Sequence, residues 1–174
     1  MQYLDRSELR RLFHIAYDSN RTNHLCLVTM FWGGLRVSEA LAIKGTDICD
    51  GQLAVKRLKK SKATLHTLKI TSDVLFDQSP LLQLAKENPG ILFPFSRQWV
   101  YQFMQKYGRA AGIHEAKLHP HVLKHAICVL LYQETHDLNA VQDWVGHRVV
   151  SSTLVYLRAD GATKAAAAVV SLAL

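Results

Sequence analysis

The sequence has no run of about 18 uncharged apolar residues, so no helix that crosses a bilayer is expected. Its first ten residues, MQYLDRSELR, carry charge where a secretion signal needs an apolar stretch. Cysteine is scarce and odd in number: Cys26, Cys49 and Cys128 lie far apart. That pattern excludes a disulfide framework or a zinc ribbon and predicts reduced core residues of a cytoplasmic protein. No repeat, low-complexity tract or linker divides the chain, so one domain over residues 1–174 is expected. Acidic residues are also few: 21 Lys and Arg face 14 Asp and Glu, an excess of 7. A basic balance favours a polyanionic partner, nucleic acid first and an anionic membrane surface second.

What is present reads mainly as helix. Asp5 and Glu8 have capping-box spacing and open a helix through ELRRLFHIA. NHLCLVTMFW is a second helix that stops at Gly33-Gly34, and RVSEALAI a short third. QLAVKRL and TLHTLKI then alternate apolar and polar residues as half-buried strands do, with the lysine-loaded KKSKA turn between them. LFDQSPLLQLAKENPG is a helix ended by Pro89-Gly90, and Ser96 can cap RQWVYQFMQKYGRAAG. Pro120 sits in the first turn of the next helix, where its missing N–H costs nothing. LNAVQDWVGH is a short helix closed by Gly146. Ser151 or Ser152 can cap a helix carrying Tyr156, and the Ala-rich tail forms one more. The fold class expected is α+β, helix-dominated, with a small antiparallel sheet of two or three strands.

The chemistry-bearing residues concentrate in HPHVLKH, positions 119–125. On a helix starting at Pro120, His121, Lys124 and His125 share one face. A solvated basic stripe would explain that face. Zinc would need more: the glutamate of H-E-x-x-H is missing, no third ligand is in the turn, and Lys124 would set a cation beside the metal. No metal is therefore expected. An anion site remains, with charge from lysine and proton transfer from histidine. Four other stretches can converge on it. GGLRVSEAL places Arg36 after a double glycine, with Glu39 three residues on to anchor it or the helix start. RLKKSKA loads the hairpin turn with lysines that can reach a groove or a leaving group. WVGHR leaves His147 just past a helix end, and STLVYL carries Tyr156. A phenol with an ordinary pKa of about 10 needs cations and an acid to act as a nucleophile. Solvated lysines, a capping histidine and a core tyrosine are the plainer alternatives for these positions.

In this order the pieces GLRVSE, RLKKSKATLHTL, HVLK, VGH and Tyr156 resemble the tyrosine recombinases, or phage-type integrases, from about Leu4 to the C-terminal tail. RLKKSKATLHTL, HPHVLKH and VQDWVGHR look closest to small bacterial recombinases that invert fimbrial promoter switches. The resemblance implies that Tyr156 attacks a DNA phosphate and forms a 3′-phosphotyrosine, without cofactor, ATP or metal. Arg36 and Lys124 would then hold the non-bridging oxygens. Lys59 is the best match for the general acid, with Lys60 and Lys62 as rivals. His121 would take the tyrosine proton and His147 bond the phosphate. Glu39 and His125 would position their neighbours, and Lys60, Lys62 and Arg148 would touch DNA. The partner expected is double-stranded DNA, bound by a homotetramer spanning two sites, with no membrane.

Two features depart from the family pattern. The separate N-terminal core-binding domain of larger members is not expected here. Lys124 stands where the family has arginine, and the sequence leaves open whether that is tolerated or inactivating. A recombinase-like regulatory protein that binds without cutting, and a metal-dependent hydrolase, are the rival readings.

Overall fold

The computed structural model describes residues 2–58 and 62–146. The Tyr156 helix and the Ala-rich tail lie outside them, as do Lys59, Lys60, His147, Arg148 and Tyr156 among the site residues.

Helix α1 (Arg6–Ser19) begins at the expected box: Asp5 Oδ1 accepts from the Glu8 amide at 2.8 Å, and Glu8 Oε2 accepts from the Asp5 amide at 3.0 Å. It is amphipathic and buries Leu9, Leu12, Phe13 and Ala16. Helix α2 (Arg21–Trp32) buries residues around its whole circumference, from Asn23 through Phe31. An all-round apolar helix belongs in the centre of a fold, and α1 and the later α6 both pack on it. Phe13 meets Phe31 and Phe76 edge to face at 5.7 and 5.3 Å.

Beyond the Gly33-Gly34 turn comes α3 (Val37–Ala40), shorter than RVSEALAI implied because the chain turns at Leu41–Ala42 to reach a bridge between Lys44 and Ile91. The sheet has three antiparallel strands in chain order: β1 (Ile48–Cys49), β2 (Gln52–Val55) and β3 (Thr64–Thr67). Leu53 faces His66 across the ladder, and both are buried, as is Val55. Cys49 is exposed, which corrects the expectation of three core cysteines: it sits in a two-residue edge strand, whereas Cys26 and Cys128 are buried.

Helix α4 (Ser79–Glu87) starts later than its sequence pattern implied. Asp77 accepts from the amides of Thr71 and Ser79 and from the Ser79 hydroxyl, so the preceding residues form a turn. Helix α5 (Arg97–Ala110) is capped by Ser96 Oγ, which accepts from the Trp99 amide at 3.0 Å. In α6 (His121–Thr135) Pro120 is the cap residue itself, one position ahead of the first turn. Helix α7 (Leu138–Val145) packs on α6 and β3 and ends at Gly146 in the left-handed conformation, φ 69°. Among the described residues no helix is long and apolar enough to cross a membrane.

Candidate active site

Four elements meet at one place: the turn into α3, the hairpin base, the first two turns of α6 and the end of α7. Gly34 has φ 55°, and a Cβ there would come within 2.8 Å of a Val145 methyl. Only glycine allows that close approach and so sets the start of Arg36 against α7. Gly146 does the same for the hairpin. A Cβ on it would lie 2.6 Å from the Lys62 carbonyl oxygen, and the Lys62 amide donates to the Gly146 carbonyl at 3.1 Å.

Glu39 performs both tasks foreseen for it. Its Oε2 accepts from the Arg36 amide at 2.8 Å, starting α3, and its Oε1 accepts from Arg36 Nη1 at 2.7 Å. Leu58 N–H also donates to Oε1 at 3.1 Å. Burial pushes the Glu39 carboxyl up, but the Arg36 and Leu58 donors and the Lys124 charge outweigh it and hold the group below its ordinary range. Among the described residues Arg36 gives its guanidinium to Glu39 through Nη1 alone. Nε and Nη2 are left for the cleft that Arg36 lines.

That cleft is about 960 Å³ and is lined by Arg36, Leu58, Arg97, Tyr101, His119 and His121 among others. Arg97, Tyr101 and His119 were not among the residues singled out from the sequence. Their signal was present in the polar residues that follow the Ser96 cap and in the first histidine of HPHVLKH. His121 stands on the rim. The wall behind it desolvates the ring, and Lys124 and Arg36 add repulsion, so its pKa lies below the usual value. It is therefore neutral near pH 7 and can accept a proton. The His121 and His125 rings meet edge to face, 4.5 Å between centroids. His125 falls to about 4, from burial first and then from His121, His119 and Lys124.

Lys124 is 1 % exposed and belongs to the interior behind the cleft. Among the described residues its Nζ reaches only the Val145 carbonyl, at 3.5 Å, which is long for a hydrogen bond. Burial, then Arg57 and Arg36, bring its pKa down to about 8 against the pull of Glu39. Among the described residues an ammonium group with three donors meets one distant acceptor, and an anion would supply the further partners.

Arg57 is the main residue the sequence reading missed. Its side chain is fully buried, and Nη1 pairs with Glu39 Oε2 at 3.2 Å. Nη1 also donates to the Gly34 carbonyl at 3.0 Å, and Nε to Thr64 Oγ1 at 2.9 Å. Nη2 faces three acceptors: the Gly33 carbonyl at 2.7 Å, the Trp144 carbonyl at 2.9 Å and His66 Nε2 at 2.9 Å. A guanidinium only donates, so His66 Nε2 must be an acceptor and the ring neutral. Burial and the neighbouring Arg57 and Lys124 charges agree, taking His66 down to about 4. The sequence signal was the strand period: Leu53, Val55 and Arg57 fall on the same inward face.

The structure thus brings Arg36, Glu39, His121, Lys124 and His125 together, with Lys62 tied to the hairpin edge of the same place.

The chain belongs to the phage integrase family: residues 2–162 match the family's model. The architecture is that of a tyrosine recombinase catalytic domain. The type 1 fimbriae regulatory protein FimE of Escherichia coli K12 is 24% identical over 92% of this chain and 87% of its own length. The XerH site-specific recombinase, in a pre-cleavage complex with its difH substrate, superposes with a TM-score of 0.74 at 24% identity, over 90% of this chain and 50% of that one. A lambda integrase tetramer bound to a Holliday junction gives 0.67 at 19% identity, over 87% of this chain and 47% of that one. Likeness at that identity shows the fold, and the chain spans about half the length of those two recombinases.

Proposed function

We propose that the protein is a site-specific DNA recombinase that cuts and rejoins strands through a 3′-phosphotyrosine at Tyr156. The observation that carries this reading is Arg36 and neutral His121 lining one cleft with Lys124 buried directly behind them, in a member of the phage integrase family. In the reaction the Tyr156 oxygen attacks the scissile phosphorus and the 5′ oxygen of the next nucleotide leaves. His121 takes the phenol proton and a hairpin lysine, Lys59 first, returns one to the leaving oxygen. Arg36 Nε and Nη2 meet the non-bridging oxygens, and Lys124 supplies charge and the donors it does not use inside the protein. The 5′ hydroxyl of a partner strand reverses the step, so phosphodiester energy is conserved. His147 adds a hydrogen bond to the phosphate.

DNA would lie along the cleft, where Arg97 and Tyr101 add contacts, with Lys60, Lys62 and Arg148 as further contacts. The likeness to the type 1 fimbriae regulatory protein FimE favours the small fimbrial-switch type, for which the motif resemblance implies an inversion. The lambda integrase assembly supports a tetramer on two sites. Lys124 keeps the charge of the family's arginine but not its planar fork. Losing one well-placed donor costs about 2.7–4 kcal/mol in such a site, and the retained charge offsets part of it, so a slow but active enzyme is expected.

The test is a duplex nicked beside the cleavage point, which traps the covalent intermediate. An adduct that disappears in Tyr156→Phe supports the enzyme. Binding without adduct supports the regulatory, non-cutting alternative.

A further inference from the structure

We propose that Arg57 is a positioning residue for the strand-cleavage reaction, a buried clamp that locks together the turn presenting Arg36, the lysine hairpin and the end of α7. The inference rests on the reading just given and adds a residue that the motif positions leave out.

The argument begins with its donors. Five N–H groups meet six acceptors within the protein, so none is left for a phosphate. Arg57 therefore acts through its neighbours. Those neighbours are the segments that must be in register for the chemistry. The Gly33 and Gly34 carbonyls belong to the turn that aims Arg36. Glu39 grips the Arg36 guanidinium from behind. Thr64 and His66 lie on β3, across the hairpin from Arg57 itself. The Trp144 carbonyl is two residues ahead of Gly146, where the chain leaves α7.

Two further contacts close the arrangement. The Leu58 amide binds Glu39, and the Lys62 amide binds Gly146, so both arms of the hairpin are fastened at its base. A buried cation of this kind is costly, and a hydrophobic residue would serve stability as well or better. What arginine adds here is geometry: one rigid planar fork satisfies carbonyls from the Gly33-Gly34 turn and the last turn of α7 and a carboxylate at once. Lysine cannot do so with a single tetrahedral head.

The test uses the full chain and the nicked duplex. Arg57→Lys keeps the charge and loses the fork, whereas Arg57→Gln loses both. The single-turnover rate of adduct formation should fall roughly 10- to 100-fold in Arg57→Lys, as for other outer-shell groups, and further in Arg57→Gln. Affinity for the intact duplex should not change, because Arg57 does not line the cleft. Without DNA, the Leu58 and Lys62 amides should exchange hydrogen faster in Arg57→Lys while amides within α2 keep their protection. Parental cleavage in Arg57→Lys overturns the proposal, and so does a loss of binding in step with cleavage. If the parent protein itself forms no adduct, the strand-cleaving reading falls by itself and exchange decides the clamp. Faster exchange at both amides then upholds it, and parental exchange overturns it.

Discussion

Phe13, Phe31 and Phe76 lie against one another at ring distances of 5.3 to 6.3 Å, while Arg57, Glu39, Lys124 and His66 fill a buried region with charge and hydrogen bonds. The aromatic region gains from every square ångström it removes from water, and its geometry is tolerant. The charged region pays desolvation on each group and recovers it only if all partners are in place. The difference bears on the proposed function. A fold that sought stability alone would extend the aromatic packing to the hairpin. This one spends charge where Arg36 and His121 must be aimed.

The largest effect expected from breaking that contrast is Glu39→Ala. It leaves Arg57 buried without its carboxylate, a change that costs about 3–5 kcal/mol, and it frees the Arg36 guanidinium. Urea unfolding should show the loss, and adduct formation per folded molecule should fall as well. Phe13→Leu is the control, costing about 0.5–3 kcal/mol. Its folded fraction should cleave at the parental rate. A matching drop in cleavage for Phe13→Leu would erase the distinction between the two regions.

A second effect comes from acid. His66 is held near 4 in the folded state, against about 6.5 in the unfolded chain. The folded pKa is depressed, so between those values the unfolded chain binds more protons and stability falls as pH is lowered from 6.5 to 4. His66 is 3 % exposed, so the loss is on the order of 3 kcal/mol at the lower end. His125 adds to it in the same window. Urea midpoints at pH 7 and 4.5 measure the drop, and His66→Gln should flatten it. An unchanged slope in that variant would mean the acid sensitivity lies outside the charged region.

Lys124 gives a smaller effect on rate, with opposite signs for stability and activity. Its folded pKa near 8 lies below the ordinary 10.5. Raising pH from 8 to 10.5 therefore relieves a penalty and stabilises the fold. On the proposed function Lys124 meets the phosphate in its charged form, so cleavage should fall about tenfold per unit above pH 8. Lys124→Arg should raise the rate at pH 7 and remove this part of the alkaline decline. Other groups titrate there too, so the quantity to read is the difference between the two profiles. Coincident profiles would show that the amine at 124 does not meet the phosphate as a cation.

Local signals were legible where a few adjacent residues complete the interaction. Asp5 with Glu8, Ser96 with Trp99 and Gly146 at the end of α7 all behave as their spacing implied. The cluster of Arg36, Glu39, His121, Lys124 and His125 was legible because each sits beside a turn or a helix start of recognisable composition. Arg57 was not. Its partners are 7 to 87 positions away, on a turn, a strand, and two helices. The strand period turns it inward with Leu53 and Val55, but nothing near it in the chain shows which acceptors await it there. Cys49 was misjudged for a related reason: the number and spacing of the cysteines do not reveal that a strand is two residues long and at an edge. The late start of α4 turned on Asp77, whose side chain competes with the helix for backbone donors.

The smallest effect expected belongs to the surface, where charge is neither buried nor aimed. Arg6 pairs with Glu134 across α1 and α6, but both side chains are about two-thirds exposed. Water screens such a pair and two long side chains must be ordered to make it, so Arg6→Ala should cost no more than about 1 kcal/mol. The cost should shrink further in high salt. Comparing urea midpoints of parent and variant at low and high ionic strength reads this directly. The same salt increase should leave the penalty of Glu39→Ala almost untouched, since ions do not reach Arg57. If salt weakens both penalties alike, the charged interior is open to solvent and its contrast with the aromatic region fails.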